Sequence, residues 1–297
     1  METNYKIMEN LTIVITSFNR PLCLYRVISY LLSFEEEFKI IIADSSFNNQ
    51  DFTKLYSLDF KNRVNFQSFS PDTKVAEKIS KTLNLVETEF CVLCAEDDFI
   101  IPESLFKCIN FLEKNSDYAT CHGKYYIHST FDYTKKFGIV FREQVKNTIS
   151  CEHENPLDRI QFYLDNKMAS QYTFYAVFRT ENLKKTWHQT YIYANNWLIN
   201  EYFPCIISLM FGKMKTLPIF YMSREPNTKN WIDKERVKLI LSKKNNLLYS
   251  EGIFVNLKKE CTYEVNESEK KKYFEIFENI RERMITNKVN FQPINKN

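Results

Sequence analysis

Over the first 120 positions, apolar residues fall in short β-branched blocks separated by amphipathic stretches. Leu11–Thr16 (LTIVIT), Phe38–Ala43 (FKIIIA), Val64–Ser68 and Phe90–Ala95 are strand-length, and the strongest of them run apolar without alternation. That is the pattern of strands buried on both faces. Between them, Leu22–Ser33 with Pro21 at its first helical position, Thr73–Leu85 and Pro102–Asn115 read as helices. A weaker helix is expected near Asp51–Leu58, and one or two strands over Ala119–His128 around Gly123. Strand–helix alternation of this kind predicts a mostly parallel sheet covered on both faces. Ligands of such sheets bind at the carboxyl ends of the strands. Three polar clusters fall at those ends: Thr16–Arg20, Asp44–Ser46 and Glu96–Asp98.

The second half is less regular. Asn155–Asn166 is expected to be helical, Thr173–Arg179 strand-like, Asn196–Phe211 a largely apolar helix and Lys213–Tyr221 a strand. The Lys-, Asn- and Glu-rich tail has helical periodicity near Trp231–Leu248 and Glu267–Ile285. There is no internal repeat and no low-complexity linker. The expected organisation is a main body over 1–228, with halves 10–125 and 126–228, and a helical extension over 229–297 packed on it.

Composition narrows the function. The 297 residues are 44% hydrophobic with a net charge of only +3, which argues against a dedicated nucleic-acid binder. The four glycines, Gly123, Gly138, Gly212 and Gly252, are too far apart for a dinucleotide fingerprint or a P-loop. A nucleotide, if held, is held without a glycine cradle. No apolar run is long enough to span a bilayer, and Leu11–Thr16 does not read as a signal segment, so the chain is expected to start near Met1 and stay in the cytosol. Eight scattered cysteines make no disulfide framework, and Cys91 and Cys94, three apart on a strand, point to opposite faces. The four histidines show no H-E-x-x-H spacing and no G-x-S-x-G elbow is present.

The stretch CVLCAEDDFIIPE carries the chemistry. A buried strand ends in Glu96-Asp97-Asp98, and Phe99-Ile100-Ile101 pins the turn back to the core at once. Adjacent carboxylates raise one another's pKa unless cations offset them. A divalent metal with oxygen ligands, Mg2+ or Mn2+, is the natural compensator, with ligand phosphates and water completing its shell. A solvated acidic turn is the bland alternative.

The segments LTIVITSFNRPLCLYRVISYL, IIIADSS and TEFCVLCAEDDFIIPESL, in this order, resemble the nucleotide-sugar half of a GT-A glycosyltransferase of the family 2-like group. The resemblance covers residues 10–125 and, more loosely, 201–224. It implies a GT-A-type, Rossmann-like α/β fold with an irregular acceptor-side region and a helical C-terminal tail. It also implies a nucleoside-diphosphate sugar donor and a divalent cation on an Asp-x-Asp-like motif. Glu96 stands where the family usually has Asp. By position Asp98 matches the metal ligand, with Glu96 beside it reaching the ribose or the metal's water, and Asp97 belongs to the donor site. Thr16, Ser17 and Asn19 match the loop lining the nucleotide, and Asp44 the acid that reads base or ribose. Ser17 as a helix cap and Asp44 as a turn former are the structural alternatives. Arg20 is a candidate phosphate partner, Lys78 a donor contact and Arg224 a cationic clamp on the diphosphate, with a surface ion pair as the alternative for each arginine and a solvated helical lysine as the alternative for Lys78.

Glu201, an acid in the apolar stretch NNWLINEYFPCIISLMFGK, resembles the acceptor-side general base, with Asp158 and Asp165 in reserve. The reading is an inverting, metal-dependent transfer of a sugar to a glycan, lipid-linked or other hydroxyl acceptor, in surface polysaccharide or glycoconjugate synthesis of bacterial type. No nucleic acid is expected as partner. The rivals are a noncatalytic sugar- or nucleotide-binding module on the same fold and a nucleotidyltransferase, although TSFNRP replaces the Gly-rich basic loop of the latter. The Lys-rich, aromatic-bearing tail is the segment expected to rest on a membrane surface if any does.

Overall fold

The computed structural model describes residues 8–35, 37–47, 60, 62–133, 136–144, 149–166, 173–194, 200, 202–225, 251–252, 255, 258–259, 266–271 and 275. The helix expected at 51–58 and that at 231–248 lie outside these residues, as does Glu201. Of the last tail helix, residues 267–271 and 275 are described and helical.

The first half follows its hydrophobic pattern. Strand β1 is Leu11–Ser17, helix α1 Pro21–Leu32, β2 Lys39–Asp44, β3 Val64–Ser68, α2 Val75–Leu83, β4 Phe90–Ala95 and α3 Pro102–Lys114. Pro21 opens α1 and Pro102 opens α3, positions where a missing N–H costs nothing. β3, β2, β1 and β4 lie side by side and all parallel. Alternate residues of these strands bury on opposite faces. Ile13, Ile15, Ile40, Ile42, Val92 and Cys94 pack under α1 and α3, whereas Val14, Ile41, Cys91 and Leu93 pack under α2 and the helices of the second half. Cys91 and Cys94 therefore belong to different cores, as their spacing predicts.

Two residues after the acid turn form a strand of their own, β5 (Phe99–Ile100), which the sequence pattern does not announce. β6 (Tyr118–Tyr133) is one strand, longer than expected, and folds back through β7 (Lys136–Gln144). Helix α4 (Pro156–Asp165) is capped by Asn155, whose side chain accepts from the Leu157 N–H at 2.8 Å. Thr173–Tyr175, expected to be extended, is a single 3-10 turn, and only Val177–Arg179 forms a strand, β8. Helix α5 (Thr180–Tyr193), which sequence periodicity leaves unassigned, follows directly and buries Leu183 and Trp187. Phe203–Ser208 forms α6 within the apolar stretch expected to be helical, and β9 runs over Lys213–Arg224.

The nine strands make one mixed sheet in the order β3-β2-β1-β4-β8-β6-β9-β5, with β7 beside β6. Gly123 sits at an irregularity in the β6–β9 pairing. A Cβ there would lie 2.6 Å from the Ile219 carbonyl oxygen, so no other residue fits without moving a strand. Among the described residues no helix is long and apolar enough to cross a membrane.

Candidate active site

Parallel register delivers the first part of the site. Ser17 stands abreast of Asp44, and Thr16 abreast of Ala95, so the polar ends of β1, β2 and β4 open at one edge of the sheet. Two loops there are laced together. Asn19, in the left-handed region at φ 56°, donates its N–H to Ser46 Oγ at 2.7 Å, and its Oδ1 accepts from the Phe47 N–H at 3.0 Å. Ser46 in turn donates from Oγ and N–H to the two oxygens of buried Asp44, at 2.7 and 3.1 Å. Asp44 thus forms the turn, and a carboxylate's further lone pairs leave it able to accept from a ligand.

Lys78 lies deeper than a solvated helical lysine. Its ammonium is buried beneath these loops, donating to the Ser17 carbonyl at 2.8 Å and to Ser45 Oγ at 2.9 Å. Burial lowers its pKa, against the pull of Glu96 and Asp44. Lys78 therefore ties the end of β1 to the end of β2, while its charge lies behind the acids. Sequence reasoning also passed over Phe18 and Phe47. Their rings meet edge to face at 5.7 Å and both remain exposed, at 43% and 72%. They belong to the loops that follow β1 and β2, and only the structure, which leaves the paired rings exposed, singles them out.

The acid turn shows how its repulsion is met. Arg20, from the loop before α1, bonds Asp97 and stands 3.6 Å from Glu96 Oε1. Asp98 is fully buried. Its Oδ2 accepts from Arg224 Nε at 2.7 Å and its Oδ1 from the Glu225 N–H at 3.1 Å. The reason is register: Phe99 pairs with Ser223 across the β5–β9 ladder, which sets Asp98 opposite Arg224. Arg224 also lies over the Tyr175 ring, 4.8 Å from its centre. In this structure the compensating cations are guanidinium groups, where the sequence suggested a metal ion. They do not suffice for all three acids. Burial, then the charge of Asp97, pushes the Glu96 carboxyl up to about 7. Burial likewise raises Asp98 to about 6 despite Arg224.

A divalent ion fits this deficit. Glu96 has the longer Arg20 contact and a hydrogen bond from its own backbone N–H, and its oxygens and those of Asp98 retain acceptor capacity. Among the described residues no three His, Cys, Asp or Glu side chains are grouped to hold a metal. The protein would then supply two carboxylates, and a hard cation would need water or a ligand's oxygens for the rest.

The remaining candidates are dispersed. Thr16 is half-buried at the strand end, and the Ser17 hydroxyl is buried without a hydrogen-bond partner. Asp158 and Asp165 are exposed on α4, the latter accepting from Gln161 at 2.7 Å. His122 is a core residue, bonded to the Gly123 carbonyl and pushed down to about 4 by burial.

A sequence model of Glycosyl transferase family 2 matches residues 12–187, more than half the chain. No curated protein sequence matches. Among solved structures, the mannosyltransferase PcManGT of Pyrobaculum calidifontis, in complex with GDP-Man and Mn2+, superposes with a TM-score of 0.50 at 8% identity. That alignment covers 95% of this chain and 76% of PcManGT. S. aureus TarS 1-349 aligns at 14% identity over 93% of this chain and 82% of its own, with a TM-score of 0.48. The same fragment bound to UDP-GlcNAc gives 0.49 at 14% identity, covering 84% and 72%. Strand order, helix-covered sheet and family match agree on a GT-A-type α/β fold, and the chain belongs to glycosyl transferase family 2: it is a glycosyltransferase.

Proposed function

We propose that the protein transfers a sugar from a nucleoside-diphosphate sugar to an acceptor hydroxyl, with a divalent cation and with inversion at the sugar carbon. The observation that carries this reading is the convergence of Asp44, Glu96 and Asp98 with Arg20 and Arg224 at one sheet edge. Phe18 and Phe47 offer aromatic faces for a base, and Asp44 an acceptor for a base or ribose donor group. Asn19, Thr16 and Ser17 line the same end, with Asn19 holding the two loops in register. Arg20 and Arg224, each bonded to a carboxylate of the acid turn, would meet the diphosphate oxygens.

Glu96 and Asp98 would hold Mn2+ or Mg2+. A cation held by these two carboxylates would offset charge growing on the leaving diphosphate. Asp97, held by Arg20, keeps that guanidinium aimed at the turn. Glu201 is the proposed general base, taking the acceptor proton as the hydroxyl attacks from the face opposite the leaving group. The acceptor is a glycan, a lipid-linked sugar or another hydroxyl, and the pathway surface polysaccharide or glycoconjugate synthesis. The Lys-rich tail over 229–297 is the segment proposed to approach a membrane surface carrying such acceptors.

The test is a thermal-shift series of nucleoside diphosphates and nucleotide sugars, with and without Mn2+. A ligand that binds only the folded form raises the melting temperature. A shift requiring both nucleotide and Mn2+, and lost in Asp98→Ala, is expected. No shift with any nucleotide would remove the donor assignment.

A further inference from the structure

Asp98 is held at both oxygens by consecutive residues from the end of β9, and the second of these is itself anchored. The Glu225 N–H reaches Asp98 Oδ1, while the Glu225 side chain accepts from Arg26 Nη2 at 2.8 Å. Arg26 belongs to α1, far from β9 in sequence. The same Nη2 lies 3.4 Å from the Asp97 carbonyl oxygen, and the guanidinium lies over the Phe99 ring at 5.1 Å. The contacts close a circuit: Asp97 carbonyl, Arg26, Glu225 carboxylate, Glu225 N–H, Asp98 carboxylate. Both members of the ion pair are largely sheltered, with one fifth of each side chain exposed.

We propose that Arg26 and Glu225 are positioning residues for donor binding, locking the end of β9 onto the acid turn so that Asp98 and Arg224 face the diphosphate. This inference rests on the donor-site reading above and extends it to two residues outside the motif. The physical argument is mechanical. The β5–β9 ladder has only two residue pairs, Phe99 with Ser223 and Ile100 with Met222, and it ends before Asp98. On its other edge β9 stays paired with β6 as far as Arg224, opposite Ile127, so it is the Glu225 N–H, past the end of both ladders, whose alignment with Asp98 depends on side chains. Neither Arg26 nor Glu225 needs to touch the donor. A carboxylate that binds cation and phosphate-facing arginine must be held within a fraction of an ångström, and its supporting shell does that.

Inorganic pyrophosphate with Mn2+ is a base-independent probe, titrated calorimetrically into the full-length protein. Arg26→Ala and Glu225→Ala are each expected to weaken its binding by about ten- to a hundredfold, the range for loss of an outer partner of a metal ligand. The double alanine variant should be no worse than either single, because both break one circuit. The exchanged pair Arg26→Glu with Glu225→Arg should recover binding to within about fivefold of the wild type, because it restores the ion pair. Glu225→Gln, with the shape kept, covers the case in which Arg26→Ala does not fold. Wild-type affinity in Arg26→Ala and Glu225→Ala, with binding lost in Asp98→Ala, overturns the positioning role and spares the donor site. Wild-type affinity in Asp98→Ala overturns the donor-site reading itself.

Discussion

One sheet holds two differently built halves. β3, β2, β1 and β4 run parallel, so their carboxyl ends necessarily share an edge, and every polar cluster following those strands lands in the same place. β8, β6, β9 and β5 mix parallel and antiparallel pairs, and their functional residues come together by register alone. Arg224 meets Asp98 across 126 positions of sequence. The first half builds a site from local chain order, whereas the second brings single side chains to it from far away. The joint between them is the acid turn, with its own arginines on each side.

The largest expected effect breaks that joint. Asp98→Ala should lower transfer by at least about a thousandfold with the fold intact by circular dichroism. Full activity in that variant would separate the halves chemically and end the assignment. On the acceptor side, Glu201→Gln should reduce kcat by about a hundredfold or more and leave donor affinity near wild type. Steady-state kinetics with donor and acceptor varied separately reads this, and an unchanged kcat removes Glu201 as base.

Lys78→Ala sharpens the donor half. Loss of the tie from the Ser17 carbonyl to Ser45 should raise the donor KM about tenfold with a smaller change in kcat, since it spaces two loops. If donor KM is untouched, Lys78 only supports the core. Gly123→Ala probes the other half. Its Cβ would press on the Ile219 carbonyl, costing about 1–3 kcal/mol in denaturant unfolding, with nucleotide binding preserved by the parallel half.

The smallest effect is electrostatic. Burial holds the Glu96 carboxyl at about 7 in the folded chain, against an ordinary value of 4.5. The folded state therefore binds more protons than the unfolded between those values. Stability from this group falls as pH rises across that window and stays low above it. Without divalent ions, Glu96→Gln should melt higher than wild type near pH 8 and equal to it near pH 4. Mn2+ should narrow the difference at pH 8. A wild type that is as stable as the variant at both pH values, with no ion present, would mean that Glu96 is already neutralised by Arg20.

Much of the parallel half was legible because its signals are local. Buried parallel strands read as unbroken β-branched runs, and Pro21 and Pro102 mark helix starts. The mixed half hid its elements for physical reasons. β5 has two residues, too few for any period, and its pairing energy comes from Met222 and Ser223 of a distant strand. Helix α5 lacks strong amphipathic contrast because Thr180, Thr186 and Thr190 occupy buried positions beside Leu183 and Trp187. Thr173–Tyr175 has strand-forming residues, yet packing of Phe174 against Trp187 and Tyr175 under Arg224 selects a turn.

By itself, the sequence determined the family, the parallel half, and the run of three acids on which the site is built, because strand periodicity and motif order are properties of neighbouring residues. Only the tertiary structure decided which cations face those acids, that Lys78 is buried behind them, and that Arg26 and Glu225 brace them. Those are partnerships between residues separated by tens to hundreds of positions, set by strand register and burial, and no local pattern encodes them.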